Sequence, residues 1–227
     1  MEIGSDAYAV FVGGSTGNSD LYAVRPDGGR PVAITFTNVA ELRPALSPDG
    51  GTLAFLRGAS LRDPTPSSVW VMNLLSGSER ELVLPKDAGR PLQVGWEPAG
   101  TSLIVRAERG LFRMNAPPLR PAPGAVPAHE GTRAESTLAV RLGNPVFATV
   151  VPCEIPDDLC VSAEGGSGLL ARRAHDPARW GDDSVAFFVG DELEIRPLGK
   201  GRPRRLAWTG VPEAPRQLTF FPGKRDR

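Results

Sequence analysis

The feature that most constrains this chain is an internal repeat of about 45 residues. The segment Arg43-Pro-Ala-Leu-Ser-Pro-Asp-Gly-Gly-Thr-Leu-Ala-Phe55 is echoed by Arg90-Pro-Leu-Gln-Val-Gly-Trp-Glu-Pro-Ala-Gly-Thr-Ser-Leu-Ile-Val105, with Leu46 and Trp96 in the same place before a Pro-x-Gly turn. A second marker, a short β-rich run, begins at Leu21, Val69, Leu111, Leu159 and Leu193, at spacings of 48, 42, 48 and 34 residues. A chain that repeats at this period stacks copies of one small unit, because no single unit can bury its own apolar faces.

The second unit predicts four strands: Pro44 to Ser47, Thr52 to Arg57, Ser68 to Asn73 and Glu79 to Leu84. Pro48-Asp-Gly-Gly51 supplies the fixed φ of proline and the positive φ of glycine that a tight turn needs. The second and third strands are apolar on both faces and therefore covered on both sides, whereas the fourth alternates like an outer strand. In the last unit Arg202 to Trp208 is the expected outer strand, its proline and charges discouraging edge-to-edge pairing. The 26 glycines and 23 prolines, spread along the chain, describe a fold with many tight turns. Four-stranded units stacked face to face make a β-propeller. The first unit lacks its inner strand and Arg216 to Lys224 supplies one, so the fold expected is all-β, with five blades of four antiparallel strands, closed by the C-terminal strand joining the N-terminal blade. The expectation covers residues 1–227 as a single propeller domain, monomeric, standing alone or cut from a longer exported chain.

Asp20-Leu-Tyr-Ala-Val-Arg-Pro-Asp-Gly-Gly29 and the Ser47-Pro-Asp-Gly50 turn that follows resemble the TolB-like (PD40, WD40-like) propeller repeat. Glu97-Pro-Ala-Gly100 and Gly181-Asp-Asp183 depart from that turn in later units. The resemblance implies a protein-binding propeller, and since TolB propellers have six blades, a count of five departs from it.

Composition narrows function. Lysine plus arginine equals aspartate plus glutamate at 26 each, so no global field draws in nucleic acid. No apolar run approaches the roughly 20 residues of a membrane helix. Gly13-Gly-Ser-Thr-Gly17 fits the G-x-S-x-G nucleophile pattern, but a strand follows where that chemistry requires a helix. His129 and His175 lie in different units without ligands at metal spacing, so no metal or other cofactor is expected. Asp157-Asp158 and Asp182-Asp183 read as turn caps. Trp70 and Trp96 read as blade packing, leaving Trp180 and Trp208 as the candidates for exposed rings.

Cys153 and Cys160 are expected on the two arms of the hairpin between the second and third strands of the fourth unit, within disulfide reach. The alternative is two reduced thiols in a cytosolic protein. A bridge, with the TolB-like resemblance, points to a periplasmic or extracellular protein whose signal or anchor has been removed, and otherwise the chain is cytoplasmic. Arg43, Arg90, Arg133, Arg179 and Arg216 recur once per unit before an inner strand, which predicts a ring of guanidinium groups at one channel mouth, suited to carboxylates on a partner's peptide. The long segment from Arg57 to Ser67, with Arg62 and Asp63, adds a recognition loop. The function expected is a non-catalytic scaffold binding a protein or peptide through these channel-mouth loops. The alternative is a small hydrolase of glycosidase or lactonase type using channel carboxylates, with Glu41, Glu135 and Glu213 as candidates.

Overall fold

The computed structural model describes residues 5–15, 17–60, 62–115, 138–141, 147–154, 158–163, 166–181 and 183–223. Every regular element among them is a β-strand. The first sheet contains β1 (Tyr8–Ser15), β2 (Asn18–Arg25) and β3 (Gly28–Ala33). The second contains β4 (Glu41–Leu46), β5 (Thr52–Ser60), β6 (Asp63–Asn73) and β7 (Glu79–Leu82). The third has β8 (Pro91–Trp96), β9 (Ser102–Ala107) and β10 (Gly110–Asn115). The fourth holds β11 (Leu138–Arg141), β12 (Phe147–Pro152), β13 (Leu159–Ala163) and β14 (Gly166–Ala171). The fifth has β15 (Ala174–Trp180), β16 (Ser184–Val189), β17 (Glu192–Pro197) and β18 (Arg204–Arg205). The last strand, β19 (Arg216–Phe221), returns to the first sheet and pairs with β1 as its inner strand. Four sheets are therefore complete antiparallel blades, and the third has three strands among the described residues.

The β-rich marker lands on the third strand of every sheet, in β2, β6, β10, β13 and β17. Inner strands pack on one another about a common axis, β11 on β15, β15 on β19, β19 on β4 and β4 on β8. This is the propeller arrangement, and the alternation of strand faces explains it. Along β1, Tyr8, Val10 and Val12 face the second sheet with Leu53 and Phe55, while Ala9 and Phe11 face the fifth with Phe188 and Leu193. On β5, Ala54 and Leu56 turn the other way, onto Val94, Leu103 and Val105 of the third sheet. On β16, Val185 and Phe187 meet Val150 and Leu159 of the fourth sheet. Both faces of a middle strand are thus core, which is why its sequence is apolar without alternation.

The Pro48-Asp-Gly turn locks two blades together. Gly50 has φ 68°, and a Cβ there would meet the Phe221 ring at 2.5 Å. Tyr8 of the first sheet donates its hydroxyl to the Gly50 carbonyl, and burial of that phenol raises its pKa. A second seam runs along the outer rim, where Gly29 N–H donates to the Ala207 carbonyl at 2.9 Å and Trp208 bridges to Gly29.

Two expectations about local elements change. The outer strand of the fifth sheet is only Arg204–Arg205, because after Leu206, whose N–H still donates to Leu193 of β17, the backbone turns from Ala207 onward to lace along the first sheet. The segment from Arg57 to Ser67 is an extension of the β5–β6 hairpin, with Gly58 opposite Pro66 and Ser60 opposite Asp63. Pro64 and Pro66 leave its outer edge short of donors, which blunts it against pairing.

Candidate binding site at the mouth of the propeller axis

The two ends of the axis differ in what they collect. At the leading mouth, where inner strands begin, lie the hairpin tips between the second and third strands of each sheet, because β1, β5, β9, β12 and β16 run antiparallel to their inner neighbours. At the trailing mouth lie the Pro48-Asp49-Gly50 turn and its counterpart at Pro98 to Gly100.

Three inner strands carry the same irregularity at the leading mouth. In β4 the pairing with β5 shifts between Leu42 and Ala45, in β15 the pairing with β16 shifts between His175 and Ala178, and β19 shifts where Val12 opposes Arg216 and Val10 opposes Thr219. Arg43, Asp176 and Gln217 occupy the same register position in the three bulges, with φ of 54°, 52° and 55°. Arg173 and Ala214, three residues upstream of the latter two, have φ of 50° and 45°. These five are the non-glycine residues with positive φ among the described residues, and all are at this mouth. Each such conformation costs of order 1–3 kcal/mol and persists only where surrounding contacts over-determine it.

Those contacts run from blade to blade. The Asp176 carboxylate faces the Gln217 backbone N–H, and Gln217 Oε1 accepts from the Arg43 N–H at 2.6 Å. His175 Nδ1 lies 2.9 Å from Asp176 Oδ2, its ring stacked on Phe188. Burial works to raise the Asp176 carboxyl, but the His175 hydrogen bond, the Gln217 N–H and the charges of His175 and Arg43 outweigh it and hold the group below its usual range. Arg216, half-buried, donates from Nη1 to the carbonyls of Gly14, at 3.1 Å, and Ala214, at 2.9 Å. Burial disfavours its charge, and Asp176 offsets that in part.

Arg43 and Arg216 thus both lie at the leading mouth. Arg90 stands just ahead of β8 on the same end, exposed, its backbone N–H on Glu108 at 3.1 Å and its Nε 3.5 Å from Glu108. Asp63, at the exposed hairpin tip, accepts from Thr65 N–H at 3.0 Å, and its carboxyl is lowered by hydrogen bonding to the Thr65 side chain first, then by that N–H and by the charge of Arg90. Arg62 is exposed beside it. Arg179 corrects the expected ring. It sits in register with Leu46 near the trailing end of β15, its Nε donating to the Gly181 carbonyl at 2.9 Å, because Asp176 holds the position that Arg43 fills in the second sheet. Arg133 lies outside the described residues, as do His129, Glu135, Asp157 and Asp182.

Of the carboxylates weighed for catalysis, Glu41 is fully buried and takes two hydrogen bonds on Oε1 from Arg57, at 2.9 and 2.8 Å, while Arg57 reaches Glu79 at 2.7 Å and lies over the Trp70 ring at 4.2 Å. Its pKa is raised by burial. Glu213 is exposed at the segment ahead of β19. Asp158 is buried and caps the Arg173 N–H at 3.0 Å. Trp180 is buried and stacked on Phe220 at 3.9 Å, so it is packing between blades, and Trp208 is partly buried against Phe11. Among the described residues no group of three or more histidine, cysteine, aspartate or glutamate side chains could hold a metal, and no helix is long and apolar enough to cross a membrane.

Cys153 and Cys160 form a disulfide with Cα atoms 5.2 Å apart. The two are diagonal neighbours: Cys160 faces Val151, and Cys153 N–H donates to the Asp158 carbonyl at 2.9 Å. The bridge is compatible with an exported protein.

Sequence reasoning missed Asp176, Gln217 and the contact of His175 with a carboxylate. A signal was present, since Arg43-Pro-Ala45 recurs as Asp176-Pro-Ala178. That echo is legible only once the fifth unit is aligned on its inner strand, and the β19 counterpart, Gln217-Leu-Thr219, does not share it.

No protein-family model matches the chain. A segment of 106 residues is 30% identical to the TolB homolog of Chlorobium luteolum, covering 45% of this chain and 23% of that protein, so the match spans less than a quarter of the relative's length. TolB from Acinetobacter baumannii is 14% identical with a TM-score of 0.48, over 94% of this chain and 66% of that one. TolB from Agrobacterium tumefaciens is 15% identical with a TM-score of 0.43, over 95% and 71%. The repeat is TolB-like, as its own residues indicate.

Proposed function

We propose that this TolB-like propeller is a non-catalytic scaffold that binds a protein or peptide at its leading mouth, as a monomer, in a periplasmic or extracellular compartment, its third sheet completing a five-blade ring. One observation carries the reading: all five described non-glycine residues held at positive φ are gathered at that mouth. Backbone strain kept by cross-blade hydrogen bonds is characteristic of binding sites rather than of packing. The projecting β5–β6 hairpin and the β1–β2 tip frame the same opening. Loops on a rigid scaffold are where such folds place recognition.

The test is site-specific photo-crosslinking in extract of the source organism, with the oxidised protein carrying the crosslinker at Ser15, on the leading mouth, or at Ala99, on the trailing one. A discrete adduct from Ser15 and none from Ala99 is expected. Adducts confined to Ala99, or turnover in a glycoside and lactone screen, would overturn the reading.

A further inference from the structure

The cross-blade chain at the leading mouth has a direction and an end. Asp176 presents an acceptor to the backbone of Gln217 on the next blade, and Gln217 presents one to Arg43 on the blade after it. The third residue at this register, Arg43, can do neither, since guanidinium has only donors. Its side chain is exposed at the axis. Arg216 stands beside Gln217 with Nη1 committed to two carbonyls and its remaining nitrogens directed to no acceptor among the described residues. Arg43 and Arg216 both act on the Asp176 carboxylate, and that carboxylate is engaged by His175.

We infer that the leading mouth is a carboxylate subsite, in which the guanidinium groups of Arg43 and Arg216 donate to the oxygen pair of a carboxylate on an acidic peptide. The inference rests on the partner-binding reading above and gives it a chemistry. Arginine pairs with carboxylate through parallel N–H donors, a geometry that lysine does not reproduce. The bulges matter because they bring the Gln217 side chain across to the Arg43 backbone N–H on the neighbouring blade, where Arg43 itself is exposed. His175, Asp176, Arg216 and Arg43 act on one another at the subsite, and Arg173 and Glu213 are exposed on the segments that lead into β15 and β19, so peptide affinity falls with added salt, as screening of exposed charges requires.

The carboxylate could be a glutamate side chain or a chain terminus, and the experiment separates them. Three blocked peptides, acetyl-Gly-Glu-Gly-amide, acetyl-Gly-Gly-Gly with a free terminal carboxylate, and acetyl-Gly-Gln-Gly-amide, are titrated into the full chain while backbone and arginine Nε–H signals are followed by NMR. At least one carboxylate peptide is expected to shift the amides of Arg43 and Gln217, and the glutamine peptide to leave them in place. Arg43→Gln supplies the acceptor found at Gln217 and removes the charge, and is expected to weaken that peptide at least tenfold while Arg43→Lys weakens it less. Equal binding by Arg43→Gln, or shifts only outside the mouth, overturns the subsite. If the Ser15 crosslink persists in Arg43→Gln and in excess acidic peptide, the partner reading stands and the subsite alone falls. If Ser15 gives no crosslink while the peptide shifts persist, the subsite stands and the partner reading falls.

Discussion

Single residues at the leading mouth carry backbone stress that is seen nowhere else among the described non-glycine residues. Ala214 has φ 45°, is exposed and leaves only its backbone to contacts, its carbonyl accepting from Arg216. Ala214→Gly removes the Cβ penalty without removing a bond, and should raise stability by about 1 kcal/mol, read as a higher denaturant midpoint at unchanged slope. Glu41 and Arg57 are the opposite case, a buried ion pair whose charges compensate each other. Glu41 has a folded pKa above its ordinary value, so its contribution is fully present below the unfolded pKa and is lost as pH rises through the folded one. Arg57→Ala withdraws the charge that holds that pKa down, and widens the window. The loss in Arg57→Ala is expected to be about 3 kcal/mol at pH 8 and clearly smaller at pH 4, measured by urea unfolding at both. A loss independent of pH would show that Arg57 acts through its packing on Trp70 alone.

At the scale of elements, turn chemistry and strand patterning were legible because they are local. All four strands expected in the second unit are present, with β4 starting three residues earlier at Glu41, β5 and β6 longer at their shared tip and β7 ending at Leu82, and β7 holds the outer position with mostly exposed residues. The Arg57 to Ser67 segment read as a loop because its two prolines look like breakers, yet a hairpin arm beyond the reach of β7 needs no outward donors and tolerates both. The β12–β13 hairpin is tied by Cys153–Cys160 across a sequence separation of 7. On a loop-entropy estimate the bridge contributes about 2.5 kcal/mol. Reduction should therefore lower the melting temperature, and the double serine variant should reproduce that shift without responding to reductant.

The whole molecule depends on closure between its two ends. β19 is both the inner strand of the first sheet and the neighbour of β15 and β4, so it joins three sheets at once. Its residues Leu218 and Phe221 belong to two different inter-blade clusters. A chain ending at Pro215 would leave β1 unpaired on its inner edge and open the apolar faces around Phe11 and Tyr8 to water. It is expected to lose cooperative thermal unfolding and to be digested rapidly by protease, whereas adding the missing strand as a separate peptide should restore protection.

The sequence by itself determined the repeat, the all-β class, the strand inside each unit that is covered on both faces, and the C-terminal closure, because period, turn residues and apolar alternation are written in neighbouring positions. It also placed Cys153 and Cys160 on one hairpin. Tertiary structure alone decided which side chains meet at the axis. Arg43, Asp176 and Gln217 are brought together across 174 residues of chain, as the Arg43 to Gln217 hydrogen bond shows. Their common position is set by bulges, and a bulge displaces side chains by one residue without leaving a pattern in composition. Arg179 falls at about the repeat spacing from Arg43, yet it lies three register positions further along, at the other end of its strand.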